Sequence, residues 1–170
     1  MSRRHPQLAN LDEIDARPLE LSPRFTSSTK PLGRATSARG LGCTWYELAS
    51  GKSAFPHHWH AANDEAIFVL QGTGTLRIGT EQLPIREGDY ASFPTGPEFA
   101  HQLTNTGTQP LRYLCFSTLS AVDVAGYPDS KKLGVLAAPS AEAGRNGQHW
   151  IRHIAHEAAG VGYLDGEDRG

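Results

Sequence analysis

The chain has 170 residues, with 16 lysines and arginines against 18 acidic residues and a formal net charge of −2. That length can bury a core without metal or disulfide staples, and the balance of charge excludes the strongly basic footprint of a nucleic-acid binder. No apolar run approaches the ~20 residues of a membrane helix, and none follows the basic residues 2–5 as it would in a secretory signal. The expectation is a cytoplasmic protein that meets a small molecule, with neither nucleic acid nor membrane as partner. Cys43 and Cys115 both sit in apolar, strand-like stretches, which suits buried free thiols in that compartment.

In chain order, residues 1–30 are polar and punctuated by proline, with one helical turn expected near residues 11–16. They read as an irregular N-terminal extension. From Leu41 the texture changes to short runs rich in β-branched and aromatic residues, with strands expected over 41–48, 54–60, 66–71, 74–78, 81–85, 90–93, 101–105 and 111–118. Gly72-Thr73-Gly74 reads as a hairpin turn, Gly79-Thr80 as a second and Gly88-Asp89 as a third, while Pro94, Gly96 and Pro97 break the chain before His101. Evenly spaced short strands with turn residues between them predict an all-β fold, a single antiparallel barrel or jelly roll over 31–120. Residues 121–170 read as a C-terminal extension packed on it. Within it, 122–130 looks like an ordered loop, 131–136 a short strand, 137–147 flexible, and 149–156 a late strand or short helix. Short, partly uncovered edges favour pairing with a second copy, so a homodimer is expected, through residues 1–30 and the strand at 41–48.

The chemistry concentrates in His58-Trp59-His60-Ala61-Ala62-Asn63-Asp64-Glu65 and in the later His101. Alternate residues of a strand share a face, so His58 and His60 aim at one point, and Glu65 follows a polar corner from which the chain can return. Three imidazoles and a carboxylate make a mixed N/O set suited to one divalent transition metal ion: Zn, Fe, Mn, Ni, Co or Cu. A lone HxH is most often a surface loop; the carboxylate and the third histidine argue for a site. His57 stands outside the ligand register and is the candidate proton carrier beside the metal. Trp59 should face away from the ligands. Asp123, Tyr127 and Asp129 are read as loop surface, His149, His153 and His156 as surface histidines, and Asn105 as a turn-fixing side chain.

Gly51, His58, His60, Glu65 and Gly72, followed by Gly88, Pro94, Gly96, His101 and Asn105, resemble the paired motifs of the cupin superfamily over roughly residues 40–118. One extra residue separates Gly51 from His58. Four residues rather than two separate Gly96 from His101, which lengthens the loop before the last ligand. The resemblance implies a cupin-type double-stranded β-helix with the metal inside a small barrel, held by His58, His60, Glu65 and His101. The stretches HWHAANDEAIFVLQGTGTLRIG and FPTGPEFAHQLTNTGTQPLRYL look like the small cupins described provisionally as sugar-phosphate isomerases. That resemblance implies metal-dependent isomerisation of a small phosphorylated metabolite, with His57 or a carboxylate moving the proton. An Fe(II) dioxygenase and a non-catalytic small-molecule binder are the alternatives. A phosphate would call for a cationic residue turned inward, a dioxygenase for an aromatic, apolar wall.

Overall fold

A computed structural model describes residues 5–167. A three-residue 3-10 turn, Leu11–Glu13, capped by Asn10, precedes β1 (Arg17–Glu20) and β2 (Thr26–Lys30). After the one-turn helix α1 (Leu32–Ala35) come β3 (Leu41–Leu48), β4 (Trp59–His60), β5 (Glu65–Gln71), β6 (Thr73–Ile78), β7 (Glu81–Arg86) and β8 (Tyr90–Phe93). The remainder is β9 (His101–Thr104), β10 (Leu111–Thr118), β11 (Val122–Tyr127), β12 (Lys132–Ala137), the short helix α2 (Ala141–Arg145) and β13 (Ile151–His156).

Every strand pair is antiparallel, and the strands form two facing layers. One layer is a six-stranded sheet in the order β1-β2-β3-β10-β5-β8. The other combines β7-β6-β9 with β13-β12-β11-β4, stitched together by an isolated bridge between His58 and His101. This is the jelly-roll barrel that the sequence predicts.

Period-2 alternation decides what the barrel encloses. Along β5 the inward row is Glu65, Ile67 and Val69; Cys115 and Tyr113 stand opposite Ile67 and Val69 on β10, and Thr44 and Tyr46 opposite those on β3. The row runs from polar at one end to apolar at the other. The apolar end is sealed by Leu48, Val69, Leu111 and Leu76, each at most 2% exposed. The register also separates the thiols. Cys115 faces Thr44 while Cys43 faces Phe116, so the two cysteines lie on opposite faces of the ladder and remain free.

Several local expectations need correction. The strand expected over 54–60 shrinks to Trp59–His60, because Pro56 has no N–H for a ladder and Ser53 is instead taken up by bridges to Phe25 and Thr104. The turn at Gly72 is not a hairpin: β5 pairs with β10 and β8, while β6 pairs with β7 and β9. Gly72 is the corner where the chain crosses between layers. It sits at φ +89°, and a Cβ there would lie 2.6 Å from the Pro110 carbonyl oxygen, so only glycine fits. Gly79-Thr80 does make the β6–β7 hairpin, with Ile78 opposite Glu81. The extensions are more regular than their composition suggests. Residues 17–30 add two strands to the large sheet, and the segment expected to loop over 122–130 is mostly β11. Residues 149–156 resolve to β13, with α2 inside the stretch expected to be flexible. Asn105 is fully buried and fixes its turn as expected, donating to the Leu48 and Gln109 carbonyls and accepting from Gly107 N–H.

Candidate metal centre and its cavity

The polar end of the barrel gathers four side chains from both layers. Glu65 opens β5, between Phe93 and Ser117 in the large sheet. His60 closes β4 opposite Ala125, and His58 and His101 exchange backbone hydrogen bonds of 3.1 and 2.8 Å across the opposite layer. The Nε2 atoms of His101, His60 and His58 lie 3.2, 3.7 and 3.8 Å from one carboxylate oxygen, Glu65 Oε2. His58, His60 and Glu65 bring their ligand atoms within 4.8 Å of one another; His101 lies outside that set, with its Nε2 3.2 Å from Glu65. The longer loop before His101 becomes a 3-10 turn, Pro97–Phe99, and its Phe99 carbonyl meets the His101 ring.

The outer nitrogen of each ring is committed. Nδ1 of His58 faces the Pro56 carbonyl at 2.9 Å, Nδ1 of His101 the Phe99 carbonyl at 3.2 Å, and Nδ1 of His60 the Asp123 carboxylate at 2.5 Å. All three partners are acceptors, so in the neutral ring the proton belongs on Nδ1 and Nε2 carries the lone pair. Three lone pairs then converge on a carboxylate oxygen, an arrangement that a cation relieves. The separations of 3.2–3.8 Å are those of ligands held at about 2.0–2.2 Å around one ion. The residues therefore fit a divalent transition metal, with Asp123 as the outer-shell carboxylate that orients His60.

Electrostatics agrees with this division of roles. Burial alone would raise the Glu65 carboxyl, but the close approach of the His101, His58 and His60 imidazoles outweighs it and holds the group far below the ordinary carboxylate range. Burial pushes His101 down, toward the neutral ligand form. Burial would also lower His60, yet its bond to Asp123 and the charge of Glu65 more than reverse that, leaving it raised. Asp123 is lowered: the bond to His60, with further bonds from Ala62 N–H and Asn63, outweighs the desolvation that would raise it.

The cluster lies in the wall of a cavity of about 480 Å³. Most of the remaining lining is apolar or aromatic, with Phe55, Leu76, Tyr113 and Tyr127 among it; Lys132 and Gln102 are the other polar members. The Lys132 ammonium rests 5.6 Å from the Tyr127 ring centroid. The imidazole of His101 is stacked on Phe93, with centroids 3.7 Å apart and planes 8° from parallel. Trp59 points away from the ligands as expected, lying against Gly126, where a Cβ would run into its indole.

His57 is the site candidate that the fold does not bring to this cluster. It does not line the cavity. Its ring is 3% exposed, neither nitrogen has a hydrogen-bond partner, and Nδ1 lies 3.5 Å from Asp129, which Arg77 holds at 2.9 Å. Conversely, Asp123 and Tyr127 are not loop surface: one is buried against His60 and the other faces the cavity. His153 and His156 are exposed, as expected.

Residues 44–117 match the model of the cupin domain family. This stretch is similar to a cupin domain in sequence and in its jelly-roll fold. Over nearly the full length, the chain is similar to a provisionally assigned sugar phosphate isomerase of Acidithiobacillus ferrooxidans, at 25% identity and a TM-score of 0.77, covering 92% of this chain and 96% of that one. It is 34% identical over 67 residues to the quercetin 2,3-dioxygenase of Bacillus subtilis, which is 39% of this chain and 20% of the dioxygenase. It is 32% identical over 60 residues to an uncharacterised protein of Methanocaldococcus jannaschii, which is 35% of this chain and 46% of that protein. The chain thus spans less than half the length of these two curated relatives. Among the described residues no helix is long and apolar enough to cross a membrane.

Proposed function

We propose that the cupin-like domain holds one divalent transition metal through His58, His60, Glu65 and His101 and uses it on a small oxygen-rich metabolite, with isomerisation of a phosphorylated sugar as the first candidate. The observation that carries this is the convergence of three imidazoles, each with Nδ1 against an acceptor, and a carboxylate in the wall of a cavity of about 480 Å³. When bound, the metal would supply a Lewis acid for a carbonyl or hydroxyl oxygen. The chain's own residues then bind and shield. Lys132 is the cation that can meet a phosphate, and the apolar walls exclude water from the reacting oxygens. The similarity to the Acidithiobacillus ferrooxidans protein over nearly all of both chains supports this order of preference.

The acid–base role expected of His57 has no path to the cavity in this arrangement. Its position against Asp129 supports a part in holding the corner beside the metal strand. The homodimer is carried forward on the same footing, to be checked by sedimentation at high protein concentration.

A second reading, dioxygen chemistry at Fe(II), is favoured by the aromatic and apolar wall. One experiment separates the two. Protein loaded in turn with Fe(II), Mn(II), Co(II), Ni(II), Cu(II) and Zn(II) is screened against aldose and ketose phosphates with product detection, and Fe(II) samples are followed for oxygen uptake. Interconversion of a sugar phosphate without oxygen uptake supports isomerisation. Oxygen uptake with a phenolic or enolic substrate and no sugar-phosphate turnover supports the alternative. A tightly bound metabolite with no product in either arm points to a binding protein.

A further inference from the structure

The metal cluster occupies only one part of the cavity surface. On the inward row of the large sheet, to which Glu65 also belongs, Tyr46 and Tyr113 sit directly opposite each other on β3 and β10. Their rings are stacked, with centroids 5.2 Å apart and planes 11° from parallel, and Phe55 packs edge-on against Tyr46. Tyr113 is 3% exposed and belongs to the core, yet both tyrosines line the cavity. A tyrosine this enclosed normally spends its hydroxyl on a protein acceptor. Neither of these two does, although most other polar groups around the cavity are committed. Gln102 donates to the Phe55 carbonyl and accepts from Arg24, and the three imidazoles face their own acceptors. A core position asks for phenylalanine; two hydroxyls placed there without protein partners ask for a ligand atom.

We propose that Tyr46 and Tyr113 form a paired phenol donor that receives an acceptor oxygen of the ligand, so that the cavity takes compounds carrying adjacent oxygens of carboxylate, hydroxamate or enediolate type. The inference rests on the cavity's being the ligand site, as in the proposed function, and names the oxygen-binding residues within it. Burial keeps both phenols neutral well past physiological pH, which makes them donors throughout the working range. Two stacked phenols on a rigid β ladder, in the same cavity as the candidate metal ligands, hold developing negative charge on oxygen without reorganising. A ligand whose polar groups are mainly hydroxyl donors gains less from them, because phenols committed as donors reward acceptors.

The test uses acetohydroxamate, a small planar ligand with two adjacent oxygens, and the Co(II)-loaded full-length protein, whose visible spectrum reports the metal surroundings. Tyr46→Phe and Tyr113→Phe remove one hydroxyl each and keep the stacked rings. Each should leave Co(II) content and the spectrum without acetohydroxamate unchanged, and should weaken acetohydroxamate binding about tenfold, with roughly a hundredfold loss in the double variant. A double variant that binds like the wild type, or a wild type loaded with Co(II) that does not bind acetohydroxamate, overturns the proposal. Wild-type protein that takes up no Co(II) refutes the metal reading instead. The same titration, followed by tyrosine difference absorbance, then decides the pair directly: a perturbation in the wild type that the double variant lacks supports it, and its absence overturns it.

Discussion

Asp123→Asn is the most revealing single change outside the ligand set. Asp123 Oδ2 accepts from His60 Nδ1 at 2.5 Å, and the same carboxylate accepts from Ala62 N–H and from Asn63 at 3.0 Å each. An asparagine with its oxygen at the Oδ2 position keeps the His60 and Asn63 bonds and turns its amide nitrogen on Ala62 N–H. The flipped amide keeps only the Ala62 bond and faces His60 and Asn63, so in either orientation the nitrogen meets a partner that needs an acceptor. If that partner is His60, the ring must shift its proton to Nε2 and lose the lone pair aimed at the metal. Loss of such outer-shell partners typically weakens metal binding about 10–100-fold, or roughly 1.4–2.8 kcal/mol. The pH dependence follows from the direction of the shifts. His60 is raised, so as pH falls it is the first ligand to take a proton and release the metal, whereas His101, lowered by burial, resists longer. Wild-type affinity should be highest above the raised His60 value and fall as pH drops through it. In the variant, affinity is lower at neutral pH and proton competition begins at lower pH, so the two curves converge toward acid. Competition titration against a chromophoric chelator from pH 5 to 8 measures this, with thermal unfolding of the metal-free proteins as control. Equal affinities at pH 7.5 for two equally stable proteins would refute the orienting role of Asp123.

Three further outcomes follow from packing and placement. Leu111→Ala, at a fully buried position in the sealed end of the barrel, should cost about 2–5 kcal/mol in urea unfolding while leaving metal stoichiometry intact. Lys132→Ala should raise KM for a phosphorylated substrate about tenfold and hardly change kcat, since a lysine at the cavity wall meets the phosphate as a point charge; steady-state kinetics checks the split. His57→Ala should spare metal content and change turnover by no more than a few-fold, because the ring lies outside the cavity. A thousandfold loss of turnover in a folded, fully metallated variant would restore His57 as proton carrier.

What was legible in the sequence is what local periodicity encodes. The candidate ligands His58 and His60 stand two apart, and the strand rule holds for them even though the strand there is only Trp59–His60. The β3, β8 and β10 boundaries follow from runs of β-branched and aromatic residues ending at turn residues. The misreadings are non-local. Gly72-Thr73-Gly74 has the composition of a hairpin turn, but whether β5 and β6 pair depends on where β10 and β9 lie, which no short window contains. The polar run Thr26–Lys30 lacks alternation and becomes a strand because β3 offers it an edge. Asp123 carried a usable signal: a single acid between two valines in Val122-Asp123-Val124 implies one inward polar group that needs a partner. The glycine and proline that follow obscured the strand. His57 shows the converse, since nearness in sequence to two candidate ligands does not place it in the cavity wall. Tyr46 and Tyr113 carry no such local signal, since their hydroxyls stand out only once the register places both rings in the cavity wall.

The central claim is a single metal ion held by the four convergent side chains, and elemental analysis with isothermal titration tests it most directly. Protein purified without added metal, then saturated and desalted, should carry one transition-metal ion per chain. The double variant His58→Ala/His60→Ala should carry none while keeping a β-sheet spectrum and a cooperative unfolding transition, because the apolar end of the barrel lies elsewhere. Metal retained at full stoichiometry in the folded double variant, or a wild type that binds none of the ions tested, would contradict the account.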